Sequence, residues 1–197
     1  YTHGHAVLGT LWLLVLIVQP LLMLRGHRSA HRFTGRTSLF IALGFVLSGL
    51  LLTHFRVSRM NEAAFAKEGV YIYLPLAVKA LFAVACVLRL RWRRSAAVHA
   101  RFMACTALLL VDPVLGRIMF FYLPPLPSDN FYQGITFTLI AVVMAFLVKS
   151  LPTHVAGRTA YRNYCLAAVS TLALFFAIPH TSAWLAFVNW FRALPLT

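Results

Sequence analysis

The chain has 197 residues, of which 61% are hydrophobic and 11% charged, with a mean hydropathy of +0.80 and a formal net charge of +14. A water-soluble domain of this size carries about a quarter charged residues, so too little polar surface exists here to cover a soluble globule, and the surrounding solvent is lipid. The positive charge does not mark a nucleic-acid partner, because the basic residues sit in short segments between long apolar runs rather than on one amphipathic face.

The apolar runs predict an all-α fold: a polytopic membrane helical bundle of six transmembrane helices plus a short C-terminal interfacial helix, in a single integral-membrane domain covering 1–197. The spans are read at about 6–24, 38–54, 70–88, 98–122, 131–148 and 161–178. Each has the length needed to cross a hydrocarbon core of roughly 30 Å, and a helix satisfies its own backbone polar groups where an isolated strand would not. The first run is preceded by no basic residue and followed by several, the reverse of a secretory signal. The stretch 182–194, with Trp184, Asn189, Trp190 and Arg192, is too short to span and fits a helix lying on the bilayer. Between the fourth and fifth spans, the Pro-rich segment 123–130 reads as a rigid connector.

Twelve of the eighteen Lys and Arg residues fall on the side opposite the N-terminus, in the segments holding Arg25 to Arg36, Arg89 to Arg101 and Lys149 to Arg162. Arg56, Arg59, Lys67 and Arg192 face Glu62, Glu68 and Asp129 on the N-terminal side. Short basic loops stay in the cytoplasm, so the expected location is a bacterial inner membrane with the N-terminus periplasmic. The three cysteines, Cys86, Cys105 and Cys165, all lie in apolar helices in no metal or redox spacing and read as small buried hydrophobes.

Charges within the spans are the first candidate site. Lys79 is about nine residues from the basic end of the third span and Asp112 about twelve from that of the fourth, which gives depths of roughly 14 and 18 Å. Consecutive antiparallel helices could bring the two together, with Arg117 sharing the carboxylate or reaching outward. A buried charge centre of this kind is either a register-fixing ion pair or the core of a proton relay or ligand site. Pro113, directly after Asp112, is expected to bend the helix there.

Histidines are the second. His5 opens the first span and His54 closes the second, so adjacent antiparallel helices are expected to bring both imidazoles to similar depth. Two histidines on facing helices are what a haem b needs for axial ligation. His31 and His99 form a similar candidate pair on the basic side, and His3, His5, His54 and His180 a candidate metal set of imidazoles. Interfacial histidines making ordinary hydrogen bonds are the alternative. His31, His99 and His154 also open the return legs of three successive hairpins, a weak repeat.

His31-Arg-Phe-Thr-Gly-Arg36, His99-Ala-Arg-Phe-Met103 and Asp112-Pro-Val-Leu-Gly-Arg117 together resemble an uncharacterised family of prokaryotic multi-helix membrane proteins, over approximately residues 4–144. The resemblance implies the six-helix arrangement and singles out His31, His99, Asp112 and Arg117, without an activity. A looser similarity to b-type membrane cytochromes rests on helix number and histidine placement. Three functions therefore stay open: a haem-binding electron-transfer protein working with quinone, an accessory subunit docking on other membrane-protein subunits, and a small proton-coupled transporter using Lys79 and Asp112. Hydrolase and phosphate-binding motifs are absent from the sequence.

Overall fold

The structure, a computed structural model, describes residues 1–122 and 129–197, and the side chains of all of these except 117, 119–121 and 129–130. Residues 123–128 of the expected connector and the side chain of Arg117 therefore lie outside the described residues, while 129 and 130 already belong to the following helix. Among the described residues there is no strand, and six helical stretches are long and apolar enough to cross a membrane. Contacts within the chain divide it into two compact units, Tyr1–Ala83 with Pro179–Thr197, and Val84–Ile178.

The first unit is built on the antiparallel pair α1 (Thr2–Leu24) and α2 (Arg28–Ser58). Their turn is a Schellman motif, in which Gly26 takes φ 77° while Gly26 N donates to Met23 O and His27 N to Leu22 O. The second span begins ten residues earlier than hydropathy suggests, at Arg28 rather than 38. The hydroxyls of its polar first turns fold back on the helix, Thr34 on Ala30 O (2.8 Å) and Ser38 on Gly35 O (2.8 Å). Basic residues in that stretch can extend towards headgroups while the backbone stays helical. Across the same end, Gln19 Nε2 donates to Thr34 Oγ1 at 2.6 Å.

After α2 come the short α3 (Glu62–Glu68), a 3₁₀ turn (Gly69–Ile72) and α4 (Tyr73–Arg91). Asn61 caps α3 by accepting from Ala64 N (2.8 Å), and Glu62 sits where the helix dipole favours an acid. The C-terminal helix α9 (Ser182–Arg192) is capped by Thr181, which accepts from Trp184 N. Its eleven residues reach about 16 Å, half a bilayer core. Val188 and Phe191 bury its apolar face against Val57, Phe65 and Ile72. Arg192 clamps it in place, donating to Met60 O (2.6 Å) and Glu62 Oε1 (2.9 Å).

The second unit holds α5 (Ala96–Leu108), α6 (Val111–Tyr122), α7 (Asp129–Lys149) and α8 (Arg158–Ala173). The fourth span is two helices, not one. Pro113 offers no N–H to the Leu109 carbonyl, and α5 ends in tightened bonds, Leu110 N donating to Ala107 O. The break thus falls one turn before the proline, as the missing donor requires. Arg101 ties α5 to the end of α7 through Leu147 O (3.0 Å) and Ser150. At the start of α8, Gly157 has φ 92° and lies against the Trp92 ring.

Candidate functional site

The first unit buries a base. Lys79 stands six residues into α4, about 9 Å along the axis from Tyr73, and is 8% exposed. Its aliphatic stem fills a notch opened by Gly49 on α2, where a Cβ would overlap Lys79 Cε and lie 2.9 Å from His5 Cε1. The ammonium sits 4.6 Å from the centroid of the Phe45 ring, a cation–π contact. His5 stacks on the same Phe45 at 4.6 Å, and its Nδ1 lies 2.9 Å from Ser48 Oγ. Phe45, Ser48 and Gly49 share a face because they are three and four residues apart on α2.

An aromatic wall closes the site from below: Phe45 meets Phe82 at 5.1 Å, and Phe82 meets the fully buried Trp12 at 5.0 Å. The two carboxylates of this unit are engaged at its rim, Glu62 with Arg192 and Glu68 with Arg56 at 3.9 Å. Lys79 therefore has no acid of its own unit beside it. An amine, an imidazole and a hydroxyl are gathered inside an apolar sleeve, and all three can exchange protons.

The expected equal depth of His5 and His54 is not what the hairpin register gives. Tyr1 packs on Phe55 and His5 on Phe45 and Ser48, so His54 lies six residues beyond the partner of His5, roughly 9 Å along α2. Each imidazole is also engaged separately. His54 is fully buried, with Nδ1 2.7 Å from Thr197 Oγ1 and its ring edge-on to Phe191 at 5.2 Å. A haem b held between these two would require α1 to slide along α2 by that distance.

Of the metal set, His3 and His180 are exposed, His5 is half-buried and His54 is buried. Among the described residues no three His, Cys, Asp or Glu side chains gather as a metal-holding group, these four histidines included. His31 and His99 belong to different units. Each places Nδ1 against a carbonyl of the helix preceding its own, His31 at Gln19 O (3.4 Å) and His99 at Arg89 O (3.0 Å). In both cases the imidazole ties the start of its helix to the helix before it.

Lys79 and Asp112 likewise belong to different units. In its own unit, Asp112 occupies the first turn of α6, and Tyr132 of α7 donates to its backbone carbonyl at 2.6 Å. The three cysteines are buried free thiols, and Cys105 Sγ lies 3.5 Å from the Tyr161 hydroxyl. Sequence reasoning passed over Ser48, Tyr132 and Thr136. The available signal was a run of small or polar residues at helical spacing inside apolar spans. Comparison with family models, curated proteins and solved structures gives no match.

Proposed function

We propose that the protein is a small proton-translocating transporter of a bacterial inner membrane, in which Lys79, His5 and Ser48 bind and pass the proton. One observation carries this reading: the Lys79 amine is packed into the Gly49 notch beside His5, inside a span, with no carboxylate of its unit to pair with. A buried base costs insertion energy, at least roughly 2.5–3.5 kcal/mol on biological scales, and tends to be kept where it works. The excess of basic residues on one side of the spans supports a cytoplasmic position for those loops. Electron transfer through haem b and quinone has no comparable support, because His5 and His54 are engaged at different levels.

The test is proton flux into liposomes carrying the purified chain, driven by a valinomycin-clamped potassium potential and read with an interior pH dye. Acidification above that of protein-free liposomes, scaling with the protein-to-lipid ratio, is the expected result. Flux equal to protein-free liposomes at every potential and pH would remove the proposal.

A further inference from the structure

The second unit carries its own unexplained polar atoms. Thr136 on α7 is fully buried, and its Oγ1 makes no well-formed hydrogen bond among the described residues, with only the Tyr132 hydroxyl close to it. Gln133, one turn earlier and 7% exposed, has Oε1 without a partner among the described residues. Across from them, Asp112 Oδ1 is buried without a partner among the described residues. A buried polar atom left without a partner costs stability, so three oxygens on one helix pair ask for something to bind.

Tyr132 shows that two of them converge. Its hydroxyl, while donating to the Asp112 backbone carbonyl, stands beside both the Asp112 carboxyl and the Thr136 hydroxyl. Gly116 makes room for it, since a Cβ there would lie 3.1 Å from that hydroxyl. The chain is also broken at this place, where Pro113 deprives the Leu109 carbonyl of its helical donor.

The unpartnered atoms are all oxygens, the donor type that hard cations take. One carboxylate sits among otherwise neutral oxygens, which balances a single positive charge and leaves a divalent ion uncompensated. Carbonyls freed at the C-terminal end of a broken membrane helix are a known way to coordinate sodium, and the Leu109 carbonyl at the end of α5 is such a group. We propose that Asp112, Tyr132 and Thr136, with Gln133 beside them on α7, form a binding site for a monovalent cation of the sodium class. This goes beyond the proton path of the first unit and shares none of its residues.

The experiment follows the unfolding temperature of the full chain in detergent while sodium replaces choline at constant ionic strength and fixed pH. A saturable rise with sodium, not reproduced by potassium, is expected. The Asp112→Asn variant is expected to lose the rise, and Thr136→Val to need about tenfold more sodium. Should Asp112→Asn fail to fold, the wild-type ion series and Thr136→Val decide the question alone. An unfolding temperature that is the same in sodium, potassium and choline overturns the proposal. A sodium response left unchanged by Thr136→Val overturns this location for it.

Discussion

The two units handle buried polarity differently. The first closes most of its polar groups on one another: His5 on Ser48, Gln19 on Thr34, His54 Nδ1 on Thr197, Arg192 on Glu62 and Met60. Its buried nitrogens without a partner among the described residues, His54 Nε2 and Trp184 Nε1, lie on separate side chains rather than in one cluster. It keeps one base, Lys79, and holds it by an aromatic face and a glycine notch rather than by an acid. The second places an acid at a helix break and leaves Asp112 Oδ1, Gln133 Oε1 and Thr136 Oγ1 without well-formed hydrogen bonds among the described residues. A filled site is expected to act by moving a proton already present, whereas an open one is expected to act by taking in a ligand. That difference is why the two units are assigned different ions.

The largest effect is expected in the frame of the second unit. Gly157→Ala forces a left-handed residue, about 1–2 kcal/mol, and brings a Cβ within 2.6 Å of the Trp92 ring. With overpacking of about 1–3 kcal/mol added, it should lower the unfolding temperature in detergent more than any other change here. A mild effect would mean that Trp92 gives way and the turn is loosely set.

Arg192→Ala should come next and strike the first unit. It removes a bond to the Met60 carbonyl and releases α9, at about 1–2 kcal/mol. Most of that comes from the carbonyl, because its partner Glu62 is 85% exposed. The matching readout is faster proteolysis of the C-terminal segment.

Gly49→Ala separates packing from function. Helix propensity gains about 0.5–1 kcal/mol, which offsets part of an overpacking cost of about 1–3 kcal/mol, since the end of Lys79 can swing away but the His5 ring, 2.9 Å from the new Cβ, must also shift. Stability should therefore fall modestly while the amine is driven out of its notch and proton flux falls strongly. At the bottom of the scale, Arg56→Ala breaks a 3.9 Å surface pair and should cost under about 0.5 kcal/mol.

Much of the architecture was legible because hydropathy over some twenty residues is dominated by solvent, and lipid leaves helices as the one economical choice. The Pro113 break and the surface helix at the C-terminus followed from local rules for the same reason. What could not be read was register. Whether His5 stands level with His54 or with Ser48 depends on how Gly44 and Gly49 let α1, α2 and α4 approach, which is a matter of side-chain fit between helices. Lys79 was visible as a buried charge, but its neighbours were not, because a glycine that opens a notch looks the same in sequence as one that only tightens packing. The oxygens on α7 were overlooked since Tyr132, Gln133 and Thr136 are ordinary residues until their missing partners are seen.

The central claim is that Lys79 carries the transported proton, and proton flux of the Lys79→Met variant in clamped liposomes tests it most directly. The methionine keeps the length and apolar body of the side chain, so the notch at Gly49 stays filled and the fold is expected to persist. Flux at the level of protein-free liposomes, from a variant that unfolds at a temperature close to that of the wild type, is the predicted result. Flux equal to that of the wild type would contradict the account.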